Sequence, residues 1–362
     1  MSFKSIKIGK HEIKIPIVQG GMGVGISWDQ LAGSVSNEGA LGVISAVGTG
    51  YYQDKKFAAK LALDRPAKET SFYSKEALAE IFKNARKICG DAPLAANILY
   101  AMSGYGQVVK DACAAGANII ITGAGLPTNM PEFTEGYPDV ALVPIVSSAK
   151  ALKVICKRWK RYDRIPDAVI VEGPKSGGHQ GFSYEKCALE ENQLENIVAP
   201  VVEEAAKWGD IPVIAAGGVW DKKDIEQMMN LGARAVQMGT RFIATHECDA
   251  HENLKQVLLN AKKEDIKLMA SPVGYPAQGV VTNLTGLVER REGPEIQCIS
   301  NCVAPCNRGV EAKEVGFCIA DRLSDAFLGK LDTGLFFSGT NGYRVNEIIS
   351  VKELIQKLTQ GE

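Results

Sequence analysis

The 362-residue sequence predicts a (β/α)8 barrel. Three observations carry that expectation. Eight short, near-continuously apolar runs recur over roughly two-thirds of the chain, longer amphipathic stretches separate them, and glycine or small polar residues close most runs at the same end. Near-continuous apolarity is what parallel strands covered on both faces require. Eight alternations with no break half-way favour a closed barrel over the competing open, doubly wound sheet.

Segments 3–8 and 12–16 flank Gly9-Lys10 and read as an N-terminal hairpin. The eight runs follow: IPIVQGG (15–21), ALGVIS (40–45), PLAANIL (93–99), NIIITGAG (118–125), VALVPIV (140–146), DAVIVEG (167–173), IPVIAAGG (211–218) and AVQMGTRF (235–242). Helical stretches lie between them at 29–37, 74–88, 105–115, 148–159, 189–208 and 222–230. Segment 48–70 is too long for an ordinary connection and reads as a lid or extended loop. After Arg241 the pattern changes. Residues 246–263 look helical, 267–291 are mixed with SPVGYPAQG turn chemistry, 292–318 hold a cysteine cluster, and 320–331 and 351–359 look like closing helices. The expected organisation is a barrel with its hairpin over 1–245 and a C-terminal extension over 246–362 packed on it.

Composition narrows the function. Forty-one Lys+Arg against 42 Asp+Glu leave a net charge of −1, which removes the electrostatic case for nucleic acid or an anionic membrane. Mean hydropathy is −0.04, and no apolar run approaches the roughly 20 residues of a membrane helix. The start, MSFKSIKIGKHEIK, is basic but lacks the apolar core of a secretory signal. Nine cysteines, an odd count in a long chain, point to reduced thiols in a cytoplasm rather than to a disulfide framework. A small-molecule substrate is expected, and a homodimer is left open.

In a barrel, the C-terminal strand ends build the active site. Here they read Gln19-Gly20-Gly21-Met22-Gly23, Asn97, Thr122-Gly123-Ala124-Gly125, Val146-Ser147-Ser148, Glu172-Gly173, Gly217-Gly218 and Gly239-Thr240. A tight turn explains any one glycine cluster, but not so well their recurrence at the same end of successive strands. The last two pairs stand where barrels bind phosphate through backbone N–H groups, and Thr240 adds a hydroxyl. Arg241 either adds charge there or turns away into an ion pair. GGMGVG (20–25) is out of register for a dinucleotide fingerprint. Among four histidines, His179 stands out, because it sits between glycines in VEGPKSGGHQG (171–181) with no helical period to bury it. A loop histidine at a barrel mouth is a candidate general base. His246 and His251 are five residues apart, which points the rings of a helix in different directions and speaks against a metal pair.

As a set, PIVQGGMG (16–23), ANIL (96–99), ITGAG (121–125), EGPKSGGHQG (172–181), IPVIAAGGV (211–219) and AVQMGTRF (235–242) closely resemble the nitronate monooxygenase family. That family was formerly called 2-nitropropane dioxygenase, and it includes the flavin-dependent enoyl-acyl-carrier-protein reductases. The likeness spans roughly residues 10–250 in order and spacing. It implies flavin mononucleotide (FMN) at the barrel mouth. Gly20, Gly21 and Met22 would line the isoalloxazine, and Asn97 with Thr122 or Gly123 would meet its polar edge. Glu172 and Gly178 would border the flavin, Gly217, Gly218, Gly239 and Thr240 would hold its phosphate, and His179 would be the base. Two activities follow from the resemblance. One is oxidation of alkyl nitronates or nitroalkanes by O2 to carbonyl compounds and nitrite. The other is reduction of an enoyl thioester with NAD(P)H as reductant. A flavoprotein that senses or carries without turnover is a third reading, supported only by the unusual tail.

Cys298, Cys302, Cys306 and Cys318 depart from the family pattern. Their C-x3-C-x3-C-x11-C spacing is a local excess that could hold an iron–sulfur cluster or zinc, although it fits no standard motif and Pro305 breaks a continuous helix. GTNGYR (339–344) reads as a turn, with Tyr343-Arg344 within reach of the mouth.

Overall fold

The computed structural model describes residues 3–49, 73–290, 292–293, 302–303, 306 and 316–361. Strands β1 (Ile6–Ile8) and β2 (His11–Ile13) pair antiparallel, Ile6 opposite Ile13. The barrel follows with β3 (Ile17–Gln19), β4 (Gly42–Ser45), β5 (Leu94–Leu99), β6 (Ile119–Gly123), β7 (Ala141–Val146) and β8 (Val169–Glu172). A two-residue strand, β9 (Gly178–His179), lies in the next loop, and β10 (Val213–Ala216) and β11 (Ala235–Met238) complete the set. The parallel order is β3-β11-β10-β8-β7-β6-β5-β4. A bridge between Val18 and Leu41 joins the two ends. Leu41 N–H donates to Ile17 O and Gln19 N–H to Leu41 O, both at 2.9 Å, so the open-sheet alternative is excluded.

Both strand faces are buried, which is why the runs read as apolar without alternation. Ile119 and Ile121 point into the barrel with Val18, Val43, Val143, Ile170 and Ile214, whereas Ile120 joins the layer beneath the helices. Ile6, Ile8 and Ile13 belong to the inner cluster, so the hairpin is a plug at the N-terminal end. A Cβ at Gly9, the hairpin tip, would lie 3.0 Å from Ala141 Cβ.

The helices stand near their expected positions. Ser74 caps Lys75–Cys89 by accepting from Ala77 N–H, and Ser148 caps Ala149–Trp159 by accepting from Ala151 N–H. Helix Asp29–Asn37 is capped from far away. Asp249 accepts from the N–H groups of Trp28 (2.8 Å), Gln30 (3.0 Å) and Leu31 (3.2 Å). The helix expected from residue 246 therefore begins only at Glu252 (Glu252–Asn260), because the turn before it reaches back to that first helix.

The expected boundary at 245 does not divide the chain. The helix after β11 is only Thr240–Ile243, and Val351–Gln360 fills the last place in the outer ring, packing on Asp29–Asn37 and Lys222–Asn230. Residues 246–350 are thus an insertion between the eighth strand and the helix that completes the barrel. The insertion brings three more strands, β12 (Ile266–Met269), β13 (Ala277–Val280) and β14 (Phe336–Phe337), and helices Asn283–Glu289 and Ile319–Phe327. Strand β13 pairs with β12, with β14 and with β9 of the barrel loop. Segment 50–72, most of the expected lid, lies outside the described residues. No helix among the described residues is long and apolar enough to cross a membrane.

Asp249→Ala should lower unfolding free energy by about 1–2 kcal/mol through loss of the remote cap. Denaturant unfolding checks it; a variant as stable as the parent would show that the three contacts contribute nothing net.

Candidate active site

The glycines at the strand ends let loops touch. Gly20 N–H donates to Met238 O at 2.9 Å, joining the exits of β3 and β11. A Cβ at Gly21 would lie 2.2 Å from Asn97 Cβ, and one at Gly239 would lie 3.4 Å from Met22 Sδ. Gly20, Gly21, Met22, Asn97 and Gly239 therefore share one side of the mouth. Gly217 and Gly218 have φ of +97° and +95°, a conformation that side chains rarely adopt. A Cβ at Gly217 would lie 2.5 Å from Gly173 O, and one at Gly218 would lie 2.9 Å from Lys175 Cβ. The exits of β8 and β10 thus press on each other.

His179 is the second residue of β9, opposite Ala277 of β13. Its Nε2 lies 2.8 Å from Ser271 Oγ, and its ring meets Phe337 edge-on, centroids 5.3 Å apart. Ser271 is buried. Burial pushes the His179 pKa down to about 4, so the imidazole is neutral at physiological pH. Glu172, at the end of β8, behaves oppositely. Burial raises it to about 7, against the opposing effect of the Ser176 hydroxyl donating to Oε1 at 3.2 Å. Ser176 Oγ also lies 3.4 Å from Gln180 Oε1, and Gln180 donates back to the carbonyls of Ser176 and Gly178. The loop that carries His179 is therefore tied within itself as well as to β13.

Two residues at the strand ends make contacts in other layers. Thr122 is fully buried, with its hydroxyl 3.2 Å from Tyr105 OH in the helix layer. Of the pair Thr122 and Gly123, only Gly123 closes the strand, its carbonyl accepting from Tyr100 N–H. Arg241 turns away, its guanidinium 4.9 Å over the Trp220 ring. Thr240 opens the short helix after β11, and Gly339 N–H donates to its Oγ1 at 2.9 Å.

Cys298 lies outside the described residues. Cys302 is buried with Val24 and Ala320, and Cys318 packs against that cluster. The Cys302 carbonyl accepts from Ser103 N–H, and Val303 bridges Met102, so this part of the tail crosses the loops after β3 and β5. Among the described residues no group of three or more His, Cys, Asp or Glu side chains is arranged to hold a metal ion.

Ser271, Phe337 and Gln278 were not singled out in the sequence. They reach His179 and its loop from 92 or more residues away, Ser271 from the loop between β12 and β13 and the other two from strands of two to four residues, and no local period marks such a contact.

A closed barrel with its working groups at the C-terminal strand ends is the architecture of an enzyme. The family profile described as nitronate monooxygenase matches residues 4–361. A probable nitronate monooxygenase of Staphylococcus haemolyticus is 27% identical over 78% of this chain and 79% of its own length. One from Bacillus subtilis is 30% identical over 55% and 52%. Among solved structures, FabK from Thermotoga maritima superposes with a TM-score of 0.72 at 26% identity, covering 96% of this chain and 92% of its own. Nitroalkane oxidase from Streptomyces ansochromogenes shares the fold with a TM-score of 0.66 at 21% identity, over 96% and 95%. The chain belongs to the nitronate monooxygenase family and is an oxidoreductase.

Because the folded-state pKa of His179 is depressed, the neutral ring persists as pH falls through 6.5 and gains its proton only near 4. Histidine-labelled NMR should show one of the four rings titrating near 4, and that resonance should vanish in His179→Gln. Ser271→Ala should keep the fold but mobilise the ring. An ordinary midpoint near 6.5 for His179 would refute the burial argument.

Proposed function

We propose that this chain is an FMN-dependent oxidoreductase that oxidises alkyl nitronates, and the parent nitroalkanes, with dioxygen to a carbonyl compound and nitrite. The observation that carries the reading is the neutral imidazole of His179. With a pKa of about 4, only about one ring in a thousand is protonated at pH 7. At rest the ring is therefore almost wholly in the form that can accept a proton, and almost none of it carries one to donate, while so low a pKa makes it a weak base. Abstraction of the α-proton of a nitroalkane needs a base, whereas protonation of the enolate left by enoyl-thioester reduction needs an acid. The curated relatives carry the name probable nitronate monooxygenase, which agrees with this choice.

The mouth has features that fit FMN. Gly217 and Gly218 are half-buried at the exit of β10 in a backbone conformation that side chains rarely adopt, and Gly21 packs closely on Asn97. FMN, when bound, supplies the electron-transfer chemistry. Gly217, Gly218, Gly239 and Thr240 would take its phosphate, Gly20, Gly21 and Met22 its ring face, and Asn97 and Gly123 its polar edge. Glu172 and Gly178 would border the ring. When Ser271 accepts from Nε2, the ring proton is fixed there and the Nδ1 lone pair is left to receive the substrate proton.

The first test is the anaerobic visible spectrum of the purified protein. The expected spectrum is a flavin that ignores NADH and NADPH and yields nitrite when ethyl nitronate and air are added. Prompt bleaching by NADH, followed by turnover of an enoyl thioester, would replace this reading with the reductase one. A broad absorbance beneath the flavin bands would assign iron–sulfur to the cysteines. His179→Ala should lose at least 100-fold in kcat/KM with neutral nitroalkanes and far less with preformed nitronates. Gly218→Asp should purify without flavin. Gly116→Asp is the matched control, because its φ is +97° and nothing lies within 4 Å of its Cβ position, and it should retain flavin.

A further inference from the structure

The motif GTNGYR, at first sight an ordinary turn, lies across the loops assigned to the phosphate. Gly339 N–H donates to Thr240 Oγ1 at 2.9 Å. Asn341 Nδ2 donates to the carbonyl of Gly218 at 2.6 Å. Between them, Thr340 N–H and Oγ1 both donate to the carbonyl of Lys175 at 3.1 Å. Contact is backbone on backbone. A Cβ at Gly177 would lie 2.7 Å from Gly339 N, and one at Gly339 would lie 2.8 Å from Lys175 O. Three consecutive tail residues thus hold the loops after β8, β10 and β11 at once.

Each bond has a directional consequence. A hydroxyl has one proton and two lone-pair sites. When Thr240 Oγ1 accepts from Gly339, its own proton remains to be donated elsewhere. In a trans peptide the C=O and the following N–H point in opposite directions. When Asn341 holds the Gly218 carbonyl toward the tail, the Val219 N–H is aimed the other way.

We propose that the loop 339–341 is the outer layer of an anion cradle, orienting the Thr240 hydroxyl and the Gly218–Val219 peptide toward the phosphate of a bound flavin while touching no ligand itself. The proposal rests on the FMN reading above. Gly339, Thr340 and Asn341 are positioning residues, and their effect is confined to the phosphate end of the ligand.

Affinity for FMN compared with riboflavin, which lacks the phosphate, tests this. The full-length chain, stripped of flavin, is titrated with each compound by fluorescence. In the parent, FMN should bind more tightly than riboflavin. Asn341→Ala should weaken FMN roughly tenfold, the ceiling for one neutral hydrogen bond, and leave riboflavin within twofold. Equal losses for both ligands would make the loop a general brace and overturn the proposal, as would unchanged FMN affinity. A parent chain that binds riboflavin as well as FMN, or neither, defeats the cofactor reading itself, an outcome visible before any variant is made. Should Asn341→Ala not fold, Thr340→Val removes only the hydroxyl bond to Lys175 and should shift the same ratio, by about threefold.

Discussion

Four residues in two short strands, Gly178–His179 against Ala277–Gln278, hold the site together. A barrel alone presents its loops with one end on the preceding strand and the other on the following helix. A histidine in the middle of such a loop has no fixed backbone. Here the loop is itself a strand, paired to β13, which is paired in turn to β12 and β14. Ser271 and Phe337 then meet the ring because they flank the same small sheet. The pairing fixes the His179 backbone through hydrogen bonds rather than through flexible side chains.

Burial around that pairing sets the electrostatics. His179 and Glu172 lie within seven residues of each other, and desolvation pushes them oppositely: the imidazole down to about 4, the carboxyl up to about 7. Both shifts favour the uncharged form, as a low-dielectric mouth requires. Near neutral pH the histidine is an uncharged base, while the glutamic acid sits close to its midpoint. The end of β8 and the loop after it thus carry two groups with different proton occupancy.

The insertion 246–350 does three jobs for the barrel. Asp249 caps its first helix, the sheet of β12–β14 holds the histidine loop, and residues 339–341 hold the two loops assigned to the phosphate. The helix that completes the outer ring comes only after the insertion, so the barrel closes around it rather than beside it.

The barrel was legible in the sequence because each strand run is apolar on both faces and needs only its neighbours to be recognised; the hairpin plug and the glycine-closed strand ends were legible for the same local reason. The motif set around Gly20–Met22, Gly217–Gly218 and His179 is likewise contiguous, and it led to the family that the profile match shows. What failed was non-local. Thr122 stands at a strand end, but its alternation turns the hydroxyl to Tyr105, and one residue of register decides that. The boundary at 245 failed because helix Val351–Gln360 is separated by more than a hundred residues from the strand it follows in the barrel. Ser271, Phe337 and Asn341 lie in two-to-four-residue strands and turns, whose sequences carry no period, and their partners are set by where the chain returns. Sequence alone determined the barrel and the family motifs at its strand ends, because both are written in short contiguous runs. Tertiary structure alone decided what orients those motifs, because backbone pairing between distant segments depends on the folded path and leaves no trace in local pattern.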